Sequence, residues 1–268
     1  MELMEQGMQS KINSSTEMNS CAIMQPTFLP WLGYFDMIDQ VNNFIFYDDV
    51  QLAKRSWQVR NKIKTHSGEL FLTIPVKKTK NRDELLISET EISYDERWQK
   101  KHLKNFESSY KKATHFKEVY SFIVDHYNNN YKLLSTFNID FILAVSKKIG
   151  IETKFIKSSE LLNIKGDKDI RLASICKSIN SNLYLSAQGS GKYIEIKDPG
   201  GEIVKNAINL YYHFFEYPRY NQIHGDFISH MSIIDLLFNE GFDNALELIR
   251  TGRGKMMPYM EFRKFYLK

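Results

Sequence analysis

Two apolar runs of strand length bracket the first helix-period segment of the chain. Cys21 to Met24 is the first and Phe44 to Tyr47 the second, and residues 31–41 between them carry apolar side chains at helical spacing. A turn containing Pro26 and Pro30 joins the first run to the helix. Strand, tight loop, helix and strand make a βαβ unit. Residues 50–68 are irregular, basic and aromatic, and Ser67-Gly68 is a turn signal. Glu69 to Val76 and Leu86 to Ile92 read as strands, expected to form a hairpin or to add to the edge of the main sheet. Helical spacing then fills residues 95–112, 115–128 and 131–149, with Gly150 as a stop. Strand patterns return at 152–156, 183–186 and 209–215, and helical ones at 167–179, 230–239 and 242–250, the last two joined around Gly241. Strands alternating with helices predict an α/β fold, a Rossmann-like parallel sheet with helices on both faces. A helical segment is inserted in it at residues 95–150. Residues 21–268 read as a single domain, and residues 1–20, without a sustained period, as a disordered leader.

Composition narrows the class without naming a reaction. The 268 residues are 43% hydrophobic and 25% charged, and no apolar run reaches the length of a bilayer span, about 18 residues. The polar N-terminus has no signal-peptide core, and two cysteines, Cys21 and Cys176, form no metal-ligand pattern. These features predict a cytoplasmic protein. A net charge of +4 suits an anionic substrate such as a nucleotide sugar and does not by itself imply a nucleic acid.

In an open parallel sheet, ligands bind at the carboxyl ends of the strands. Gln25, Trp31, Tyr34, Asp48, Asp49, Lys54, Trp57, Arg60 and Asn61 gather at that edge. Asp48 and Asp49 could hold Mg²⁺, orient an amine or act as general base; a turn capped by one acid is the plainer role. Lys54 and Arg60 beside Trp57 suit a pyrophosphate and a base or sugar ring. Ser186 and Gly189 lie in a strand-to-loop stretch, Y-L-S-A-Q-G-S-G, that can present backbone N–H groups to an anion. His224, beside Gly225 and outside regular structure, is the strongest general-base candidate of seven histidines. His102, four residues after Trp98 on one helical face, is a second, with a core role as its alternative.

The motifs Q-P-x-F-L-P-W-L-G-Y-F, F-Y-D-D-V-Q and K-R-x-W-x-x-R-N-K-I, from Gln25 onward, resemble the WbqC-like family. L-T-I-P-V, W-x-x-K-H, Y-L-S and H-G-x-F…S-I-I-D-L-L-F-N-E-G continue the resemblance in order, and W-x-x-K-H brings His102 into the pattern. The resemblance implies a role in making O-antigen or other surface polysaccharides. Trp31-Leu32-Gly33-Tyr34 also stands where Rossmann-like nucleotidyl-transferring proteins carry H-x-G-H, with Gly33 in register and both histidines absent. Pro26-Thr27 before it is similar to pantothenate synthetase. Together these suggest N-acyl or aminoacyl transfer to a nucleotide-linked amino sugar. ATP with Mg²⁺ and an amino acid, an acyl thioester and a charged tRNA all stay open as donors. A non-catalytic sugar-nucleotide binder, and a nucleotidyl- or glycosyltransferase using a metal at Asp48 and Asp49, are the alternatives.

The leader generates a simple expectation. A chain beginning at Met18 should melt at the temperature of the full-length protein, and a clear drop in a thermal scan would show that the leader packs on the fold.

Overall fold

The computed structural model describes residues 18–53, 56–77, 85–195 and 198–266. Strand β1 (Ser20–Met24), helix α1 (Leu32–Asp39) and strand β2 (Asn43–Phe46) form the expected βαβ unit, the two strands pairing in parallel. The chain then leaves the sheet through an antiparallel hairpin, β3 (Arg60–Thr65) and β4 (Gly68–Thr73). Helices α2 (Trp98–Tyr110), α3 (Phe116–Asn128) and α4 (Leu134–Lys148) follow. It re-enters as β5 (Lys154–Lys157), parallel to β2, and continues through α5 (Lys168–Ser178) to β6 (Leu183–Ala187), which lies beside β1. Two short helices, α6 (Gly191–Ile194) and α7 (Gly201–Lys205), precede β7 (Asn209–His213). Helices α8 (Ile233–Glu240) and α9 (Ala245–Thr251), strand β8 (Met257–Pro258) and helix α10 (Tyr259–Tyr266) end the described chain.

The sheet order is β5-β2-β1-β6-β7-β8, parallel except for β8. The fold is therefore α/β with a Rossmann-like strand order. Successive strands extend outward from β1 to β5, and the chain then returns to the other side of β1. The switch in direction falls between β1 and β6, where such sheets open a crevice.

Side chains alternate along the strands and sort two cores. Ala22, Phe44, Phe46 and Leu185 face α1, the inserted helices, α8 and α9. Cys21, Ile23, Ile45, Tyr184 and Leu210 face α5 to α7 and α10. Covering both faces explains why the strands read as continuous apolar runs.

Three parts differ from the pattern. The hairpin is built by residues 60–65 with 68–73 and forms a two-stranded sheet of its own, while 69–76 and 86–92 meet at an antiparallel bridge between Val76 and Ile92, outside the main sheet. R-N-K-I-K-T hides its strand because Lys64 is buried, its Nζ donating to the Asp226 carbonyl at 2.6 Å. Residues 86–92 cross three neighbours instead of pairing with one. Ile87 and Ser88 donate to the carbonyls of Val50 and Asp48, Ile92 to that of Lys132, and Ile87–Glu89 coils into a 3-10 turn. At the N-terminus, Asn19 and Ser20 hydrogen-bond Asn182 and Asn42 at 3.0 and 2.9 Å, inside the stretch expected to be leader. Residues 1–17 of that leader lie outside the described residues.

The inserted helices pack around rings. Trp98 lies 5.2 Å from His102, 5.5 Å from Tyr127 and 5.8 Å from Phe137, and His126 lies 4.5 Å from Phe137. Burial pushes both His102 and His126 down to about 4. Below the unfolded value of about 6.5, the unfolded chain takes up protons that these rings refuse, so stability falls as pH drops from there towards 4. Each ring should withdraw up to about 3 kcal/mol over that range. Urea midpoints measured from pH 7 to pH 4 should fall, with a slope shallower by one proton in His102→Phe. A flat profile would place the protonation elsewhere.

Candidate functional site

The loop from Gln25 to Trp31 begins at the carboxyl end of β1 and turns the chain into α1. Its backbone carbonyls are held from several directions. Asn61 Nδ2, on β3, donates to Phe28 O and Leu29 O at 3.1 and 2.8 Å. Asn138 Nδ2, on α4, donates to Pro26 O at 3.1 Å, and the Ile233 N–H at the start of α8 donates to Pro30 O at 2.8 Å. Tyr34 Oη donates to Gln25 O at 3.0 Å, and the Phe28 N–H to Trp57 O at 2.8 Å. Leu29 sits in the left-handed region at φ 43°, a strain of about 1–3 kcal/mol that these contacts hold in place.

A two-lobed cleft lies over this loop. One lobe, about 370 Å³, opens toward the hairpin and is lined by Thr27, Trp57, Asn61 and Lys62. The other, about 340 Å³, lies over the switch in strand order and is lined by Gly33, Met37, Gln188, Gly189, His213 and Phe215. Met24, Trp31, Tyr34 and His230 line both. Trp31 is fixed between an edge contact with Phe215 at 5.5 Å and a stacked contact with His230 at 6.0 Å. His230 stacks in turn on Tyr217 at 5.1 Å. Trp57 of the hairpin lobe is 52% exposed and the neighbouring Phe71 46%, and the Arg60 guanidinium lies 4.9 Å from the Phe71 ring. Lys62 is neutralised by Glu69 at 2.6 Å.

Residues 25–247 match the WbqC-like protein family. The chain belongs to that family. Family membership suggests involvement in polysaccharide or O-antigen biosynthesis. The uncharacterized protein Rv1507c of Mycobacterium tuberculosis (strain ATCC 25618 / H37Rv) is 34% identical over 228 residues, covering 84% of this chain and 95% of its own. No solved structure matches. Among the described residues, no helix is long and apolar enough to cross a membrane.

The cleft of this WbqC-like protein collects part of the set expected from its sequence. Trp31, Gly33, Tyr34, Trp57, Asn61 and Gly189 line it, and Arg60 stands nearby on the hairpin. Gly33 has a local reason: a Cβ there would lie 2.2 Å from the Trp31 indole, so glycine lets that ring lie against the first turn of α1. Gln25 spends its side chain on Gln58. Ser186 is buried within β6, and its hydroxyl faces the Ala187 carbonyl at 3.4 Å. Lys54 lies outside the described residues.

The acids and the two histidine candidates have other surroundings. Asp48 is buried and accepts from Ser158 Oγ, Ser159 N and Ser159 Oγ at 3.2, 3.0 and 2.7 Å, clamping the end of β2 to the turn after β5. Asp49 accepts from Ser158 and is paired with Arg171 of α5. No group of three or more acids, histidines or cysteines is arranged for a metal among the described residues. His102 belongs to the ring core of the inserted helices, its Nδ1 3.3 Å from Tyr127 Oη. His224 sits at φ 71° in a loop, its Nε2 2.6 Å from the Ser109 carbonyl, and lines neither lobe.

Two histidines that do line the cleft, His213 and His230, were not singled out in the sequence, nor was the buried Asp36 beside His213. Asp36 was the legible one: it falls four residues after Leu32, on the buried side of an apolar helix, where an acid needs a partner. His213 was masked by the expectation that its strand ran on to residue 215.

The clamp at Asp48 makes a measurable claim. Asp48→Ala strands the Ser159 backbone N–H and hydroxyl, and should destabilise the fold by about 2–3 kcal/mol in urea. An unchanged midpoint would return Asp48 to the list of ligand-facing acids.

Proposed function

We propose that this WbqC-like protein is a cytoplasmic enzyme of surface-glycan precursor synthesis that transfers an acyl or aminoacyl group to the amine of a nucleotide-linked amino sugar. The observation that carries the reading is a cleft at the switch in strand order, with two lobes meeting at one shared wall. A two-substrate reaction needs such a meeting point, because holding both reactants in place supplies much of the rate. The hairpin lobe suits the sugar nucleotide. Exposed Trp57 offers a face for the base, and Arg60 offers a guanidinium for the pyrophosphate. The lobe over β6 and β7 suits the acyl donor, with Gln188 and Gly189 at its edge and His213 and His230 in its wall.

The carboxylates of Asp48 and Asp49 are already engaged by Ser158, Ser159 and Arg171, so their geometry gives no support to the metal-using nucleotidyl or glycosyl transfer reading.

Melting scans with UDP-, GDP- and dTDP-linked sugars test the binding half of the reading. A ligand at 100 times its dissociation constant should add about 2.7 kcal/mol of stability. In Trp57→Ala its affinity should weaken by about tenfold, since stacking on an aromatic face contributes roughly 1–3 kcal/mol. No shift with any of them would remove the nucleotide sugar as substrate. A shift without amide product from a thioester, an activated amino acid or a charged tRNA would instead favour a binding protein.

A further inference from the structure

We propose that His213 takes the proton from the attacking amine, with Asp36 as the positioning residue that fixes its tautomer; this rests on the acyl-transfer reading. His213 is the last residue of β7, at the carboxyl edge of the sheet, and lines the lobe over the switch point. Its ring is 5% exposed and lies 6.2 Å from Phe215, nearly parallel to it. Nε2 is 2.7 Å from Asp36 Oδ2.

Asp36 is fully buried on α1. Its Oδ1 accepts from Arg253 Nε at 2.7 Å, and Oδ2 accepts also from Gln40 Nε2 at 2.6 Å. The Arg253 guanidinium and the Gln40 amide both donate to it, so each Asp36 oxygen is placed as an acceptor. The hydrogen between Asp36 and His213 therefore sits on Nε2, and the lone pair on Nδ1. An imidazole held through Nε2 by a buried carboxylate, in the wall of a cleft and with Nδ1 as its other nitrogen, is the arrangement of a general base. His230 lines both lobes but is exposed, and its Nδ1 meets the uncharged Ser229 hydroxyl at 2.8 Å. Of the two cleft histidines, His213 is the one whose tautomer is held by a charge.

The step balances with an acyl thioester as donor. The neutral amine of the sugar attacks the acyl carbonyl and forms the C–N bond, Nδ1 of His213 takes one N–H proton, and the C–S bond breaks. The same proton then passes from Nδ1 to the departing thiolate. Products are the amide and a thiol, and the imidazole returns to its starting state.

The tautomer can be read without any substrate. In the full chain labelled with ¹⁵N-histidine, His213 should show the Nε2–H form at neutral pH. In Asp36→Asn the new amide can donate to Nε2 and should drive the ring to the Nδ1–H form. With whichever sugar nucleotide shifts the melting point, and acetyl-CoA as the probe donor, Asp36→Asn and His213→Gln should each lose about 10²–10⁴-fold in turnover. Their melting shifts with the sugar nucleotide should stay at the wild-type value. A wild-type His213 carrying its proton on Nδ1 overturns the proposal, as does turnover within threefold of wild type in His213→Gln. If Asp36→Asn does not fold, the wild-type tautomer and His213→Gln still decide. If no sugar nucleotide binds, the acyl-transfer reading fails and takes the catalytic role with it, whereas an Nε2–H tautomer would still establish the Asp36–His213 pair.

Discussion

A backbone carbonyl removed from water has to find a donor, and the loop between β1 and α1 exposes this requirement five times over six residues. The carbonyls of Gln25, Pro26, Phe28, Leu29 and Pro30 are each supplied from elsewhere: by a phenol on α1, amide side chains on α4 and β3, and a backbone N–H at the start of α8. Those donors are spread along the chain from Tyr34 to Ile233. Satisfying the loop therefore draws the hairpin, the inserted helices and α8 over one face of the sheet. The cleft is the space left above the loop once they are in place. Leu29 keeps its left-handed backbone because any relaxed conformation would have to withdraw carbonyls from these donors together.

Much of this was legible in the residues. Cys21 to Met24, the proline-bearing turn and Phe44 to Tyr47 announced a βαβ unit, and helix periodicity marked α2 to α4 to within a few residues. The edge rule then led to Trp31, Tyr34, Trp57 and Asn61 in the cleft wall. Other parts could not be read locally. β3 has the composition of a solvated loop, and only the tertiary partner of Lys64, the Asp226 carbonyl, makes burying that lysine tolerable. Asp48 and Asp49 stand at the right edge, but their serine partners are about 110 residues away in sequence. His224 had the right type and an irregular setting. Its distance from the cleft is a matter of packing against the end of α2, which no local pattern records.

Asp235 and Asp39 show how one residue type is given two electrical characters. Asp235, on α8, accepts from uncharged donors, Tyr110, Tyr220 and Gln222, with the Lys64 cation acting on it from farther off. Burial prevails there, and its carboxyl is held above the usual range despite those hydrogen bonds. The acids of α1 have arginines instead. Burial works against the Asp39 carboxylate too, but Arg250 and Arg253 outweigh it and hold the group below the usual range. Arg253 also contacts Asp36, so the connection after α9 ties the acidic side of the first helix to the far end of the sheet. In sequence the two aspartates look alike, each set in an apolar helical run. The difference lies in whether a guanidinium arrives from elsewhere.

The Trp31 indole lies on Gly33 and is wall to both lobes. Phe215 meets that ring edge-on and His230 stacks on it, so its position sets the boundary of both lobes at once. A Cβ at residue 33 would collide with the indole, and one substitution there would change the shape of both halves of the cleft together.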